Sequence, residues 1–131
     1  MKPISIIVVD DVESIQNLLR LWLEERGHVV ACASSGRAAS KRLRAEHFDL
    51  VVADVLMPDG DGIELINELK AKQPDARILA ISGGGTHLRA TDCLMLAKGL
   101  GAHAVLQKPF NRQQLLHAID MACPPEPAPA A

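Results

Sequence analysis

Three carboxylates and one ammonium stand in this chain where apolar runs stop. Asp10 and Asp11 follow the run 4–9, and Lys108-Pro109 follows the run 102–106. Asp54 ends the stretch Asp49-Leu50-Val51-Val52-Ala53 and precedes Val55-Leu56-Met57-Pro58-Asp59-Gly60-Asp61-Gly62. An apolar strand that ends in a carboxylate and breaks at once into a Pro/Gly/Asp loop marks a site rather than a surface. If the strands lie parallel in one sheet, these groups meet at one edge. Magnesium takes oxygen ligands in octahedral geometry and keeps several waters, using one or two carboxylates plus phosphate oxygens. Asp11, Asp54 and one backbone carbonyl of the loop after Asp54 would supply that set, with Asp10 holding a metal-bound water. Without the ion the clustered carboxylates repel, and at least one pKa is expected to rise. With it, Asp54 stays ionised and can attack a phosphoryl group to give an acyl phosphate. Lys108 would pair with one phosphoryl oxygen as a point charge. Ser82, just past the run 77–81, would donate its hydroxyl to another, and Gly83 and Gly84 leave room beside it for a phosphodonor. A cis peptide at Lys108-Pro109 would aim the lysine.

The elements that must position these groups follow from the hydrophobic pattern. The run 4–9 is β-rich and almost wholly apolar, as a strand buried on both faces requires. From 12 to 26, Ile15, Leu18, Leu19, Trp22 and Leu23 recur at helical spacing, and Gly27 supplies a stop. A second strand is expected at 28–33 and a weaker, Ala-rich helix at 35–46, with Ala38, Ala39 and Leu43 inward. The third strand is 50–53. Ile63, Ile66, Leu69 and Lys70 mark a helix ending before Pro74. The fourth strand is 77–81, followed by the flexible loop Ser82-Gly83-Gly84-Gly85-Thr86. A helix at 88–100, a strand at 102–106 and a helix at 111–122 complete the chain, with Leu115, Leu116 and Ile119 inward. Residues 1–123 form one domain in this reading, and 124–131 form a disordered Pro/Ala-rich tail. Strands alternating with helices imply an α/β fold, a doubly wound parallel five-stranded sheet with crossover helices on both faces. The ligand crevice of such a sheet lies at the carboxyl ends of its strands, where the strand order reverses. Asp10, Asp11, Asp54, Ser82 and Lys108 all fall at those ends.

Composition narrows the function classes. The net charge is −2 with both signs spread along the chain, so no basic stretch points to nucleic acid. The aromatics are Trp22, Phe48 and Phe110, too few for a base-stacking surface. No apolar run approaches the length of about 20 residues that spans a bilayer, and no signal peptide is evident. Cys32, Cys93 and Cys123 are scattered, which argues for reduced thiols in a cytosol and against a disulfide framework or zinc site. The five histidines, at 28, 47, 87, 103 and 117, show no ligand spacing, and none is read as catalytic.

Plainer readings compete at single positions. An acidic residue at a strand end and helix start is often an N-cap, which applies to Asp11. Asp59 and Asp61 read as loop formers, and Trp22, Leu19 and Leu23 as core. The triple glycine is not a phosphate loop, since no Gly-Lys-Ser/Thr follows it.

Taken together, Asp10-Asp11, Asp54 with Met57-Pro58 and Gly62, Ser82 after an apolar strand, and Lys108-Pro109-Phe110 resemble the receiver domain of two-component response regulators. The resemblance covers about residues 4–122. It implies a flavodoxin-like fold with strand order 2-1-3-4-5, and a stand-alone receiver of the chemotaxis type. It implies that Asp54 accepts a phosphoryl group from a phosphohistidine on a sensor histidine kinase or histidine phosphotransfer protein. Asp10, Asp11 and Asp54 would bind Mg²⁺ with the Leu56 carbonyl as a further ligand, and Ser82 and Lys108 would be the switch and phosphate-contact residues. Such a protein is not an enzyme beyond its own aspartyl phosphorylation and dephosphorylation. It acts in the cytoplasm on a downstream protein target, without direct contact to nucleic acid or membrane. Val105 stands where the family often has a Tyr or Phe on the fifth strand, and the segment from Ser82 to Lys108 is a few residues longer than usual. Leu56 and Gly84 lack polar side chains that orient a hydrolytic water in some relatives, which implies a long-lived phosphoryl group. A non-phosphorylated interaction module and the receiver part of a truncated DNA-binding regulator are the alternatives. A Mg²⁺-dependent phosphatase is disfavoured, because Leu56 occupies the place of its general acid.

Overall fold

Residues whose side chains alternate between two apolar environments can only be strands covered on both sides, and the structure places them so. A computed structural model of the chain describes residues 3–55, 57, 61–82, 95, 98, 99 and 101–124. Among these, the strands are β1 (Ser5–Val9), β2 (Val29–Ala33), β3 (Leu50–Asp54), β4 (Arg77–Ser82) and β5 (Ala104–Gln107). The helices are α1 (Glu13–Glu25), α2 (Gly36–Ala45), α3 (Asp61–Lys72) and α4 (Arg112–Ala122). The strands pair in parallel in the order β2-β1-β3-β4-β5: the hydrophobic pattern predicts a doubly wound parallel sheet, and the resemblance implies this flavodoxin-like order. The loop 83–86 and most of the expected helix 88–100 lie outside the described residues. So do Leu56 and residues 125–131 of the expected tail.

Successive residues of the three central strands point into opposite cores. Ile7, Val9, Val51, Ala53, Ile78 and Ala80 face α2 and α3, packing with Ala39, Leu43, Leu65, Ile66 and Leu69. Ile6, Val8, Leu50, Val52, Leu79 and Ile81 face α1 and α4, packing with Leu19, Leu23, Leu115 and Ile119. Each such fully buried aliphatic side chain stabilises the fold by about 1.5–3 kcal/mol relative to its exposed state. Trp22, expected in the core, is only partly buried and rests against the edge of the Phe110 ring, centroids 6.5 Å apart.

The helix ends follow local chemistry. Gly27, at φ 93°, closes α1. Its N–H donates to the Glu24 carbonyl at 2.9 Å and that of His28 to the Leu23 carbonyl at 3.2 Å, the paired bonds of a Schellman motif. Asn111 and Gln114 cap α4 reciprocally, each side chain accepting from the other's backbone N–H, at 2.8 and 2.9 Å. Gly101, at φ 113°, makes a turn whose N–H reaches the Lys98 carbonyl at 3.0 Å. That turn delays β5, which starts at Ala104 rather than at the expected residue 102.

The outer edge of β2 is guarded. Val29 N donates to Ile4 O and Asp10 N to Ala33 O, so odd-numbered residues of β2 face β1 and Val30 faces outward. Arg20, reaching over from α1, donates from Nη2 to that outward Val30 carbonyl at 3.3 Å. Its Nε lies 3.4 Å from Glu24 one turn on.

Two histidines hold the end of the sheet opposite the acidic loops. His28 Nδ1 accepts the Ile4 N–H at 3.1 Å, and His103 Nδ1 accepts the Ile78 N–H at 3.0 Å. Both rings must be neutral to accept. Burial lowers both pKa values, helped by Arg26 at His28 and by Arg77 and Lys70 at His103. Next to them Asp49 accepts from the backbone and hydroxyl of Ser5 at 2.9 and 3.1 Å, tying β3 to β1. The Ser5 backbone bond is the main cause that holds its carboxyl below the usual range.

Two outcomes are expected. A histidine pKa depressed by folding contributes stability that is complete above the ordinary value of 6.5 and is lost as pH falls through the folded value. Melting temperature should therefore be level above neutrality and fall as pH drops below 6.5, and His28→Ala should shrink that fall while lowering stability at neutral pH. The Asp49 contribution belongs to a separate, more acid window, below its ordinary 3.8. The second concerns Gly62 in the first turn of α3, where a Cβ would strike the Asp54 carbonyl oxygen and come within 2.7 Å of Val55 Cα. Gly62→Ala should cost about 1–3 kcal/mol in urea unfolding, since the helix must back away from the end of β3.

Candidate functional site

Strand order reverses between β1 and β3, and that geometry builds the site. Val9 lies opposite Ala53 in the ladder, so Asp10 and Asp54 leave the sheet side by side. Asp54 is the last residue of β3, paired with Ile81, and Ser82 is the next residue on β4. Ser82 in turn pairs with Gln107, and its carbonyl accepts the Lys108 N–H at 2.8 Å. Four neighbouring strands thus deliver Asp10, Asp54, Ser82 and Lys108 to one rim.

Asp10 and Asp54 are almost completely buried, 2% and 5% exposed, and Ser82 is fully enclosed. Asp11 is exposed. Each of Asp10, Asp11 and Asp54 offers a carboxylate oxygen, and these oxygens all lie within 4.8 Å of one another. Lys108 Nζ sits between two of them, donating to Asp10 Oδ2 and Asp54 Oδ2 at 2.9 Å each. The repulsion expected among clustered carboxylates is therefore met from inside the protein. Burial draws the Lys108 pKa down, but the hydrogen bonds and charges of Asp54 and Asp10 outweigh it and hold the pKa above the ordinary lysine value. The ammonium form is secure at neutral pH. The Lys108-Pro109 peptide is cis.

The donor set fits a hard divalent cation. Three clustered carboxylates, two of them desolvated, give oxygen ligands and a charge excess that one lysine does not cancel. Asp11 does not cap α1: that helix has Val12 at its N-cap position and no side-chain cap bond. The amide just before the helix goes instead to Asp10, whose Oδ1 accepts the Val12 N–H at 2.8 Å. One oxygen of Asp10 thus fixes the turn and the other holds Lys108, while the Asp11 carboxylate stands at the open side of the cluster. Leu56, whose carbonyl the resemblance assigns to the cation, lies outside the described residues, as do Asp59, Gly83 and Gly84.

Two features were not read from the sequence. Gln16 is a buried polar residue on the inward stripe of α1, in phase with Leu19 and Leu23. Its Nε2 donates to the Asp10 carbonyl at 2.6 Å, with the Ala33 carbonyl at 3.5 Å and Ser34 Oγ at 3.3 Å. A polar side chain at a core position of a helix was the available signal. The second is the contact of Gly62 with the backbone of Asp54, which a glycine two residues into a helix could have suggested. Cys32 and Cys123 are half-buried free thiols whose pKa values burial raises, in keeping with packed rather than reactive groups. Cys93 lies outside the described residues.

Comparison with known proteins agrees with this geometry. The sequence profile of the response regulator receiver domain matches residues 6–120. The DNA-binding transcriptional regulator NtrC of Azospirillum brasilense is 31% identical over 131 residues, covering 100% of this chain and 26% of that protein. The chain therefore spans about a quarter of the length of this curated relative. Among solved structures, a response regulator receiver domain protein from Clostridium thermocellum superposes with a TM-score of 0.81 at 30% identity, over 92% of this chain and 94% of that one. The beryllofluoride-activated NtrC4 receiver domain dimer gives a TM-score of 0.79 at 37% identity, over 91% and 95%. With its strand order, its acidic cluster and the lysine that bridges it, the chain belongs to the response regulator receiver domain family.

Proposed function

We propose that Asp54 is a phosphoacceptor, loaded by the phosphohistidine of a sensor kinase or histidine phosphotransfer protein. The observation that supports this most is the placing of the Asp54 carboxylate within reach of both a carboxylate cluster and an ammonium. A carboxylate oxygen of Asp54 attacks phosphorus in line, the phosphorus–nitrogen bond breaks, and the imidazole leaves with a proton taken from water. Asp11 and Asp54 would hold Mg²⁺ directly and Asp10 through water. When bound, the ion supplies charge neutralisation for the phosphoryl oxygens. Lys108 already carries its proton and would exchange the Asp54 oxygen for a phosphoryl oxygen. Ser82 adjoins Asp54 across the β3–β4 pair, and its hydroxyl would take another oxygen.

Output then passes through protein contact at the surface around residue 98, β5 and α4. Lys98, His103, Val105, Gln114 and His117 line an open groove there. Val105 is half-buried, and with no aromatic ring at that place the signal runs through Ser82 and the loop after it. A second reading, a receiver acting within a longer DNA-binding regulator, is favoured by the greater length of NtrC. The mass of the native protein separates the two. Among the described residues no helix is long and apolar enough to cross a membrane.

Incubation with Mg²⁺ and acetyl phosphate, or with a phosphorylated kinase, should add one phosphoryl group by intact-mass measurement. Asp54→Ala should add none, and Asp11→Asn should shift labelling to higher Mg²⁺ concentration. An unlabelled wild type with the Mg²⁺ site intact would instead mark a non-phosphorylated interaction module. The phosphoryl group should outlast removal of the donor by minutes or more, and loss within seconds would contradict the role given to Leu56 and Gly84.

A further inference from the structure

We infer that Gln16 is a positioning residue for the cation site, acting through the main chain of Asp10 and coupling that site to the end of β2. The inference rests on the Mg²⁺-dependent reading above and assigns part of its affinity to a residue that touches no ligand. β1 ends at Val9, and the Asp10 N–H is taken by Ala33. The Asp10 carbonyl, on a residue only 2% exposed, lies past the β1–β3 ladder and receives the Gln16 amide. A buried carbonyl left without a donor bears the full cost of its lost hydration, so the turn carrying Asp10 and Asp11 would shift to find one.

The same amide nitrogen also lies near the Ala33 carbonyl and Ser34 Oγ. Gln16 thus bridges the ends of β1 and β2 from the first turn of α1. Asp10 meanwhile fixes the start of that helix through Val12 N–H and holds Lys108 with its other oxygen. The carbonyl bond to Gln16 and the carboxylate bonds to Val12 and Lys108 fix one residue from both ends. Asp11, next in the chain and open to solvent, gains its direction from that fixed neighbour.

The test is the Mg²⁺ dissociation constant, read by calorimetry and amide NMR, in wild type, Gln16→Met, Ser34→Ala and Asp11→Asn. Gln16→Met keeps length and removes the donor; a loss of about tenfold in affinity with the fold retained is expected, on the scale of supporting bonds around metal ligands. Ser34→Ala should change affinity less than Gln16→Met, because the carbonyl bond remains. A folded Gln16→Met with wild-type affinity overturns the assignment, even if its melting temperature falls. A wild type that binds no Mg²⁺ overturns the functional reading itself, and this one with it. The wild type alone supplies a second measurement should Gln16→Met not fold. The Gln16 side-chain NH₂ resonances should move with those of Asp10 and Asp11 during Mg²⁺ titration, and their standing still would overturn the inference.

Discussion

An ammonium held between two buried carboxylates is the interaction around which this structure is organised. Asp10 and Asp54 leave adjacent strands almost stripped of water, and neither charge would be tolerable there alone. Lys108 makes the arrangement possible by donating to both at 2.9 Å. The pairing joins residues far apart in sequence, so it exists only once β1, β3 and β5 share a sheet. Folding and site assembly are one event.

The rest of the rim adapts to that pair. Backbone at the end of β3 is pressed by the first turn of α3, which admits only a glycine at position 62. On the other side, Val12 and Gln16 secure the turn that carries Asp10 and Asp11. The opposite end of the sheet is stabilised differently, by neutral imidazoles and one carboxylate that accept strand amides. One end of the molecule concentrates negative charge beside a cation, while at the other the nearby Arg26, Arg77 and Lys70 help burial to keep the imidazoles neutral.

Much of this was legible in the sequence, for a physical reason. Strands covered on both faces must be apolar throughout, so 4–9, 50–53 and 77–81 stood out, and chemistry-bearing residues at their ends were visible by contrast. The gathering of Asp10, Asp11, Asp54 and Lys108 followed from parallel pairing, whereas the order of the strands came from the family resemblance. What did not show were bonds to the main chain. Gln16 carries no pattern that names the Asp10 carbonyl as its partner, and His28 and His103 have no spacing in common, although each accepts a strand amide. The start of β5 was misplaced by two residues because the turn at Gly101 depends on a bond to Lys98 rather than on composition. Trp22 was assigned to the core by its helical phase, yet its ring lies at the margin, on Phe110.

Arg20 carries a consequence for the protein's behaviour in a crowded solution. A parallel sheet with an uncovered border strand offers main-chain groups on which a neighbouring molecule can template. The guanidinium over the Val30 carbonyl occupies one such group and sets a cation beside the rest. The border of β2 thereby offers a copy of the protein one main-chain group fewer to pair with, through a side chain borrowed from the adjoining helix.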